Sequence, residues 1–106
     1  MDIQAIYTEA KQAAIEAENE YIAKNGEPAY CGFGWVDIFV DRTNSKEAKA
    51  LIAVGFRKSY QAKTLNMWTC GNYHGQSMDV KEAGSYAFAK VFQKYGFRAY
   101  AGSRAD

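Results

Sequence analysis

No other part of the chain limits the possible folds as strongly as the segment from Tyr30 to Val40, which is rich in aromatic and β-branched residues. This composition is typical of a β-strand. Side chains alternate along a strand, so one face would carry Cys31, Phe33, Trp35, Asp37 and Phe39, and the other Gly32, Gly34, Val36, Ile38 and Val40. Both faces are largely apolar, which predicts a central strand covered on both sides, with Trp35 in the core. The two glycines favour a closely packed helix over a ligand.

The segment before this strand has the pattern of an amphipathic helix, with apolar residues three and four positions apart. Asp2 is its expected N-cap and Asn25-Gly26 its expected stop. The apolar stripe is mostly alanine and buries little area, so we expect this helix to dock on the rest of the domain. The opposite face is expected to be solvated and carries Glu9, Lys11, Glu16, Glu18 and Glu20.

Two further helices and two further strands are predicted after the first strand. Each helix is indicated by a capping box and a terminal glycine, namely Asn44 with Glu47 and Gly55, then Asp79 with Glu82 and Gly96. Alternation of apolar residues predicts strands over residues 64–70 and 97–101. Residues 56–61 are ambiguous, and residues 102–106 have the composition of a polar tail.

These elements predict a single domain over residues 1–106 in the order α-β-α-β-α-β, with an N-terminal amphipathic helix of residues 1–26 docked on a core of residues 30–101. The predicted fold class is α+β, or a small α/β fold, with a sheet of about three strands carrying helices. The pattern leaves the strand direction open. Parallel strands would bring residues 41–44 and 103–104 to one ligand-binding edge of the sheet, whereas antiparallel strands would separate them.

The composition argues against several classes of partner. Thirteen Lys and Arg against twelve Asp and Glu leave a net charge of +1, so no global field steers the protein onto a polyanion. No apolar run approaches the roughly 18 residues of a membrane span, and the N-terminus lacks the profile of a signal peptide. We therefore expect a cytoplasmic protein that does not engage a membrane.

The two cysteines, Cys31 and Cys70, occur without a Cys-x-x-Cys motif, and both are expected to be reduced, buried thiols. If their strands were antiparallel neighbours, the two residues would lie opposite one another. A nucleophilic Cys70 would use His74 as its base, but no convincing third residue completes the set. A zinc site of Cys31, Cys70 and His74 would have only Asp37 or Asp79 as a fourth ligand. We therefore expect no metal and no cofactor, and an enzyme is not favoured.

The polar loop of residues 71–77, together with the start of the following helix, is the predicted binding surface. The unpaired N–H groups and the dipole of that helix favour an anion or a carboxylate, and the loop adds polar side chains. The alternative is a solvent-facing loop whose N–H groups are already capped by Asp79. The predicted binding residues are Asn72, Tyr73, His74, Gln76, Ser77 and, as a neighbour of the loop, Arg104.

Three segments stand out together: Cys31-Gly32-Phe33-Gly34-Trp35-Val36, Gln76-Ser77-Met78-Asp79, and Ala101-Gly102-Ser103-Arg104 with Asp106. In this order and spacing they resemble a group of small proteins encoded by tailed phages and prophages. The loop around His74 is longer in this chain than in that group. The resemblance implies a phage or prophage origin and the cytoplasm of a bacterial host, and it carries over no catalytic residue.

We therefore expect a non-enzymatic phage or prophage accessory protein that binds a host or phage protein or associates with a second copy of itself as a homodimer. The chain has 2 Trp, 8 Tyr and 6 Phe, more than a core of this size needs, so exposed tyrosines would supply the interface. The first alternative is a small nucleic-acid-binding protein that uses residues 56–63, where Arg57, Lys58 and Lys63 stand among aromatic residues. The second alternative is an enzyme based on Cys70 and His74.

Overall fold

The computed structural model describes residues 2–105, which form three helices and one four-stranded sheet. The fold class is α+β, as the sequence predicts. In chain order the elements are α1 (Ile3–Asn25), β1 (Gly32–Phe39), α2 (Lys46–Ala53), β2 (Arg57–Lys58), β3 (Thr64–Met67), α3 (Met78–Lys94) and β4 (Arg98–Ala105). Within this described part, no helix combines the length and the apolar character that crossing a membrane requires.

The sheet is antiparallel throughout, in the order β2-β3-β1-β4. β1 pairs along its whole length with β4, but it pairs with β3 only from Val36 onwards, where Val36 faces Met67. The first half of β1 therefore has no strand partner on the β3 side. Asp41 contacts Arg98 at one end of β4, whereas Arg104 lies at the other end, so these predicted edge residues do not converge.

The sequence underestimates the number of strands. The ambiguous segment contains β2, in which Arg57 faces Asn66 of β3. The segment predicted as a polar tail continues β4 to Ala105. Its short polar side chains carry no alternation signal, and pairing with β1 is what makes this segment a strand.

The helix boundaries depend on which polar side chain acts as the cap. Asp2 caps α1 as predicted, with its carboxylate accepting from a backbone N–H three residues on, at 3.2 Å. α2 is capped by Ser45 and not by Asn44. α3 follows Ser77, so Asp79 is its second residue and not its cap. Both predicted capping boxes are therefore wrong by one or two residues.

The helices lie on one face of the sheet, with α3 packed directly on β1 and β4. Gly34 makes this contact close, because a Cβ there would lie 2.9 Å from the Ser85 Oγ and 3.0 Å from the Lys81 carbonyl oxygen. The prediction that a helix fills the space above the β1 glycines is confirmed. α1 packs antiparallel along α3 and places its buried alanines, Ala10 and Ala14, in the core.

No helix of residues 2–105 lies over the opposite face of the sheet, so the prediction of cover on both sides is wrong. Burial alternates along β1: Val36 and Ile38 are fully buried, whereas Trp35 and Phe39 are only half-buried. Trp35 is therefore not a core residue. Aromatic residues can cover one another across the strands of an open face, and this is how an apolar strand face exists without a second layer.

Candidate functional site

The uncovered side of the sheet carries an aromatic surface, called the aromatic face below, which consists of Phe33, Trp35, Phe39, Trp68 and Tyr100. The Trp35 and Trp68 rings stack with their centroids 4.8 Å apart, and Trp35 also lies over Gly102 of β4. Trp68 remains 46% exposed and Tyr100 remains 53% exposed. These two rings therefore offer π surface to a ligand from solvent.

Cationic side chains surround the aromatic face. Arg57, Arg98 and Arg104 lie on this side of the sheet, because each stands opposite a residue of this side in the strand register. The Arg104 guanidinium lies 5.8 Å and the Lys81 ammonium 5.3 Å from the centroid of the Phe33 ring. The four glutamates of α1 lie on the helical side instead. The aromatic side of the sheet also carries Asp37, which accepts from the Trp35 indole N–H at 3.1 Å, and Asp41, which pairs with Arg98, so the three arginines exceed these two carboxylates by one charge.

A cavity of about 210 Å³ opens where β1 and β3 separate. Its lining combines the start of β1, the segment after β3, the first turns of α3 and one side chain from α1. The lining residues include Glu18, Phe33, Gly34, Trp68, His74 and Ser85. Phe33 and Trp68 also belong to the aromatic face. The cavity and the aromatic face are therefore adjacent parts of one surface.

Glu18 is the buried charge of this cavity, only 4% exposed. Its Oε1 accepts hydrogen bonds from the backbone N–H groups of Asn72 at 3.0 Å and Tyr73 at 3.2 Å. The absence of a side chain at Gly71 lets the carboxylate lie against the loop backbone. Burial raises the pKa of Glu18, while the two N–H groups and the positive charge of Lys11 act in the opposite direction.

Cys70 also lines the cavity, but it is unsuited to be a nucleophile. Burial raises the pKa of its thiol to about 12, and a hydrogen bond with Ser85 opposes that rise only in part. The thiol donates to the Met67 carbonyl at 3.5 Å. Cys70 is therefore protonated at neutral pH, and the thiolate that an enzyme based on Cys70 and His74 would require is not formed.

Cys31 is exposed, so the prediction that it is a buried thiol is wrong. Cys31 and Cys70 do not lie opposite one another, because the register of β1 and β3 differs by two residues from the one that would pair them. Cys31 instead pairs with Ser77 in an isolated antiparallel β-bridge of the backbone. In residues 2–105, no group of three or more His, Cys, Asp or Glu side chains is arranged to hold a metal ion.

Two of the predicted binding residues line the cavity. Tyr73 and His74 both contribute to its wall, and His74 is exposed. The Tyr73 hydroxyl donates to Glu27 at 2.7 Å and accepts from the Ser77 N–H at 3.2 Å, so this ring also braces the loop. Arg104 reaches the same place indirectly, through its contact with Phe33.

The other predicted residues do not form a surface site together. The Asn72 and Gln76 side chains are exposed, whereas Ser77 is buried, and its Oγ has no hydrogen-bond partner within the described part of the chain. The N–H of Met78, the first residue of α3, donates to the Tyr30 carbonyl at 2.9 Å. One of the N–H groups that the sequence assigned to binding is therefore already paired within the fold.

Sequence reasoning missed Glu18, which it assigned to the solvated face of α1. A local signal exists, because Ala10, Ala14 and Glu18 follow one another at a spacing of four on the buried stripe. The groups against which Glu18 packs, Gly71 and Gly84, are distant in sequence and give no such signal. Ser85 was missed for the same reason, since its place in the cavity depends on how α3 lies on β1.

Comparison with known proteins adds nothing to this geometry. The resemblance to tailed-phage proteins stays a prediction. No protein-family model matches the chain, and neither a curated protein nor a solved structure matches it.

Proposed function

We propose that this protein is a non-enzymatic nucleic-acid-binding protein that holds single-stranded DNA or RNA on its aromatic face. The observation that carries the proposal is the exposed ring surface of Trp68 and Tyr100, with arginines around it. Bases stack on aromatic side chains whatever their identity, and each stacked base contributes about 1–3 kcal/mol as judged by alanine substitution. Arginine pairs with the phosphates between them.

The distribution of charge supports this proposal although the net charge is only +1. Arg57, Arg98 and Arg104 lie on the sheet side, whereas α1 on the other side carries four glutamates and two lysines. A polyanion therefore meets a positive surface when it approaches the sheet. The site overlaps the predicted segment 56–63 only in part, because Phe56 is buried, whereas Arg57 lies on this face and Lys63 lines a pocket together with Phe39 and Arg98.

A binding role also fits the chemistry of the cavity, where the Cys70 thiol is too basic to act as a nucleophile. In the phage or prophage setting that the sequence resemblance implies, the bound strand would be phage or host nucleic acid in the bacterial cytoplasm. Single strands are exposed there during replication, repair and transcription.

Fluorescence anisotropy with a labelled oligothymidine strand tests the proposal. We expect Trp68→Ala and Tyr100→Ala each to weaken binding about tenfold, which corresponds to about 1.4 kcal/mol. The matched control is Tyr86→Ala on α3, because Tyr86 is 58% exposed but lies on the helical side. Absence of binding by the wild type, or an equal loss in the Tyr86 variant, would reject the proposal.

A second candidate is the binding of a host or phage protein, or of a second copy of this chain, through the same face. The continuous ring contacts from Phe33 through Trp68 to Trp35 favour it, since aromatic residues are enriched at the centres of protein interfaces. Sedimentation of the wild type separates the two candidates. A dimer that dissociates in Trp68→Ala and does not bind oligothymidine would favour self-association.

A further inference from the structure

We infer that the cavity beside the aromatic face is a pocket for a guanine base, recognised by the Glu18 carboxylate. The inference rests on the proposed function, because the pocket shares Phe33 and Trp68 with the surface that would hold the strand. It adds base selectivity to a face that by itself would stack any base.

The size of the cavity fits one flat heterocycle. Its volume of about 210 Å³ is below the roughly 300–1,000 Å³ of pockets that take drug-sized ligands. Aromatic rings from Phe33, Trp68 and Tyr73 contribute to the wall. Gly34 and Gly71 also line the cavity, and because they have no side chain they do not fill it. A planar ring system with polar edges matches these walls better than an aliphatic chain does.

Glu18 supplies the acceptor that selects the base. Both hydrogen bonds of its carboxylate use Oε1, which leaves Oε2 without a hydrogen-bond partner among residues 2–105. Glu18 lines the cavity, so an N–H donor that enters can pair with the carboxylate oxygen that the loop leaves without a partner. The pocket therefore favours a ligand that presents N–H groups.

The backbone of β1 supplies a complementary edge. The Gly32 N–H donates to the Gln76 carbonyl and the Val40 N–H donates to the Lys63 carbonyl, just before β3, so the even-numbered residues of β1 direct their backbone N–H and C=O groups towards the β3 side. Gly34 has the same parity but lies before β3 begins to pair, so its N–H and C=O point towards the cavity. A base that binds Glu18 can thus meet a backbone donor and a backbone acceptor at the opposite wall.

The surrounding charges argue against a cationic ligand such as an amine or a guanidinium. Lys81 lines the cavity, Arg104 stands over Phe33, and Lys11 donates to the Gly71 carbonyl at 2.8 Å. Lys11 acts on the Glu18 carboxylate itself, whereas Lys81 and Arg104 lie beside Phe33, so an entering ligand meets more cations than carboxylates. A neutral base carried by an anionic sugar-phosphate chain fits this pattern, because the base reaches Glu18 and the phosphate reaches Lys81 or Arg104.

Among the bases, guanine matches a buried carboxylate best. Its N1–H and 2-amino groups are adjacent donors with no acceptor between them. In adenine and cytosine a ring-nitrogen acceptor lies beside the amino group, and in thymine and uracil two carbonyls flank the single N–H. A charged oxygen repels each of these acceptors, so the pocket discriminates through the electrostatics of one edge.

Titration of the full chain with GMP, IMP and AMP tests the inference, with tryptophan fluorescence as the readout because Trp68 lines the cavity. We expect GMP to bind at least tenfold more tightly than IMP, which lacks the 2-amino group, and than AMP. Glu18→Gln keeps an oxygen for the Asn72 and Tyr73 N–H groups but replaces Oε2 by a donor, so it should abolish the preference for GMP. Glu20→Gln is the matched control, since Glu20 is exposed and paired with Lys24.

Amide chemical shifts of the wild type make the test independent of the variant's folding. GMP should shift the amide signals of Gly71, Tyr73 and Ser85 before those of α2. Equal affinity for the three nucleotides, or GMP shifts away from these amides, overturns the pocket. Oligothymidine binding is measured in parallel. If the wild type binds oligothymidine but does not prefer GMP, the guanine pocket alone is rejected. If the wild type prefers GMP but does not bind oligothymidine, the proposed function alone is rejected.

Discussion

Glu18 places a carboxylate where an amphipathic helix normally buries an apolar side chain. Burial raises its pKa above the ordinary value of 4.5, so the folded protein holds this proton more tightly than the unfolded chain does. Below the ordinary pKa both states are protonated, so a change in pH does not alter stability through this group. As the pH rises above that value the unfolded chain ionises first, so stability is lost until the pH exceeds the folded pKa.

Glu18→Gln removes this titration while keeping the shape of the side chain. We expect its free energy of unfolding, relative to the wild type, to rise with pH across the window that begins at 4.5. Urea denaturation of both proteins at several pH values measures the difference, and the other carboxylates cancel because both chains contain them. A difference that stays constant with pH would contradict the environment assigned to Glu18.

The two cysteines should differ in reactivity. Cys31 is exposed, whereas burial raises the pKa of Cys70 to about 12. With a thiol reagent at neutral pH, we expect one equivalent to react rapidly and the second only after denaturation. Cys31→Ser should remove the rapid phase and Cys70→Ser should leave it. Two rapid equivalents in the native wild type would show that Cys70 is not enclosed.

At the scale of elements, the contact between α3 and β1 is set by Gly34. A methyl group there would press on the Ser85 Oγ and on the Lys81 carbonyl, and the second of these belongs to the helix backbone. We expect Gly34→Ala to destabilise the protein by about 1–3 kcal/mol, as overpacking of a close contact does. Denaturant unfolding measures this loss.

A second substitution tests the cause of that loss. Gly34→Ala combined with Ser85→Ala removes the contact with Oγ but keeps the contact with the Lys81 carbonyl. We therefore expect the double variant to recover part of the stability that Gly34→Ala loses. Ser85→Ala alone is the reference. If Gly34→Ala is as stable as the wild type, then α3 is not held against β1 at the distance described.

At the scale of the whole molecule, the three helices carry seven acidic and seven basic residues, whereas the sheet side carries Arg57, Arg98 and Arg104 around the aromatic face. Binding of a single strand should therefore depend on salt, with a slope of the logarithmic plot of roughly −0.7 for each phosphate contacted. If Arg57, Arg98 and Arg104 each neutralise one phosphate, Arg104→Ala should make the slope less steep by about 0.7. Lys90→Ala, on α3, should leave it unchanged. Oligothymidine titrations at several salt concentrations measure both slopes, and equal slopes in all proteins would mean that the sheet side is not the contact surface.

The sequence by itself determines the features that depend on neighbours along the chain. The Asp2 cap, the glycines after α1 and α3 and the aromatic run of β1 identify their elements, because caps, positive φ angles and strand propensity act over a few residues. The α+β fold class follows from their order. The predicted loop 71–77 also lies near the cavity, as polar residues between two buried elements must reach the surface.

Tertiary structure alone decides which face of β1 is covered and which charged residue is buried. Trp35 has the sequence context of a core residue, yet it lies on the open face because all three helices pack on the Val36 side. Glu18 has the context of a surface residue, yet it is buried because Gly71 and the Asn72 N–H, more than fifty positions away, receive its carboxylate. Local patterns specify an element, whereas burial depends on contacts between elements that are distant in the chain.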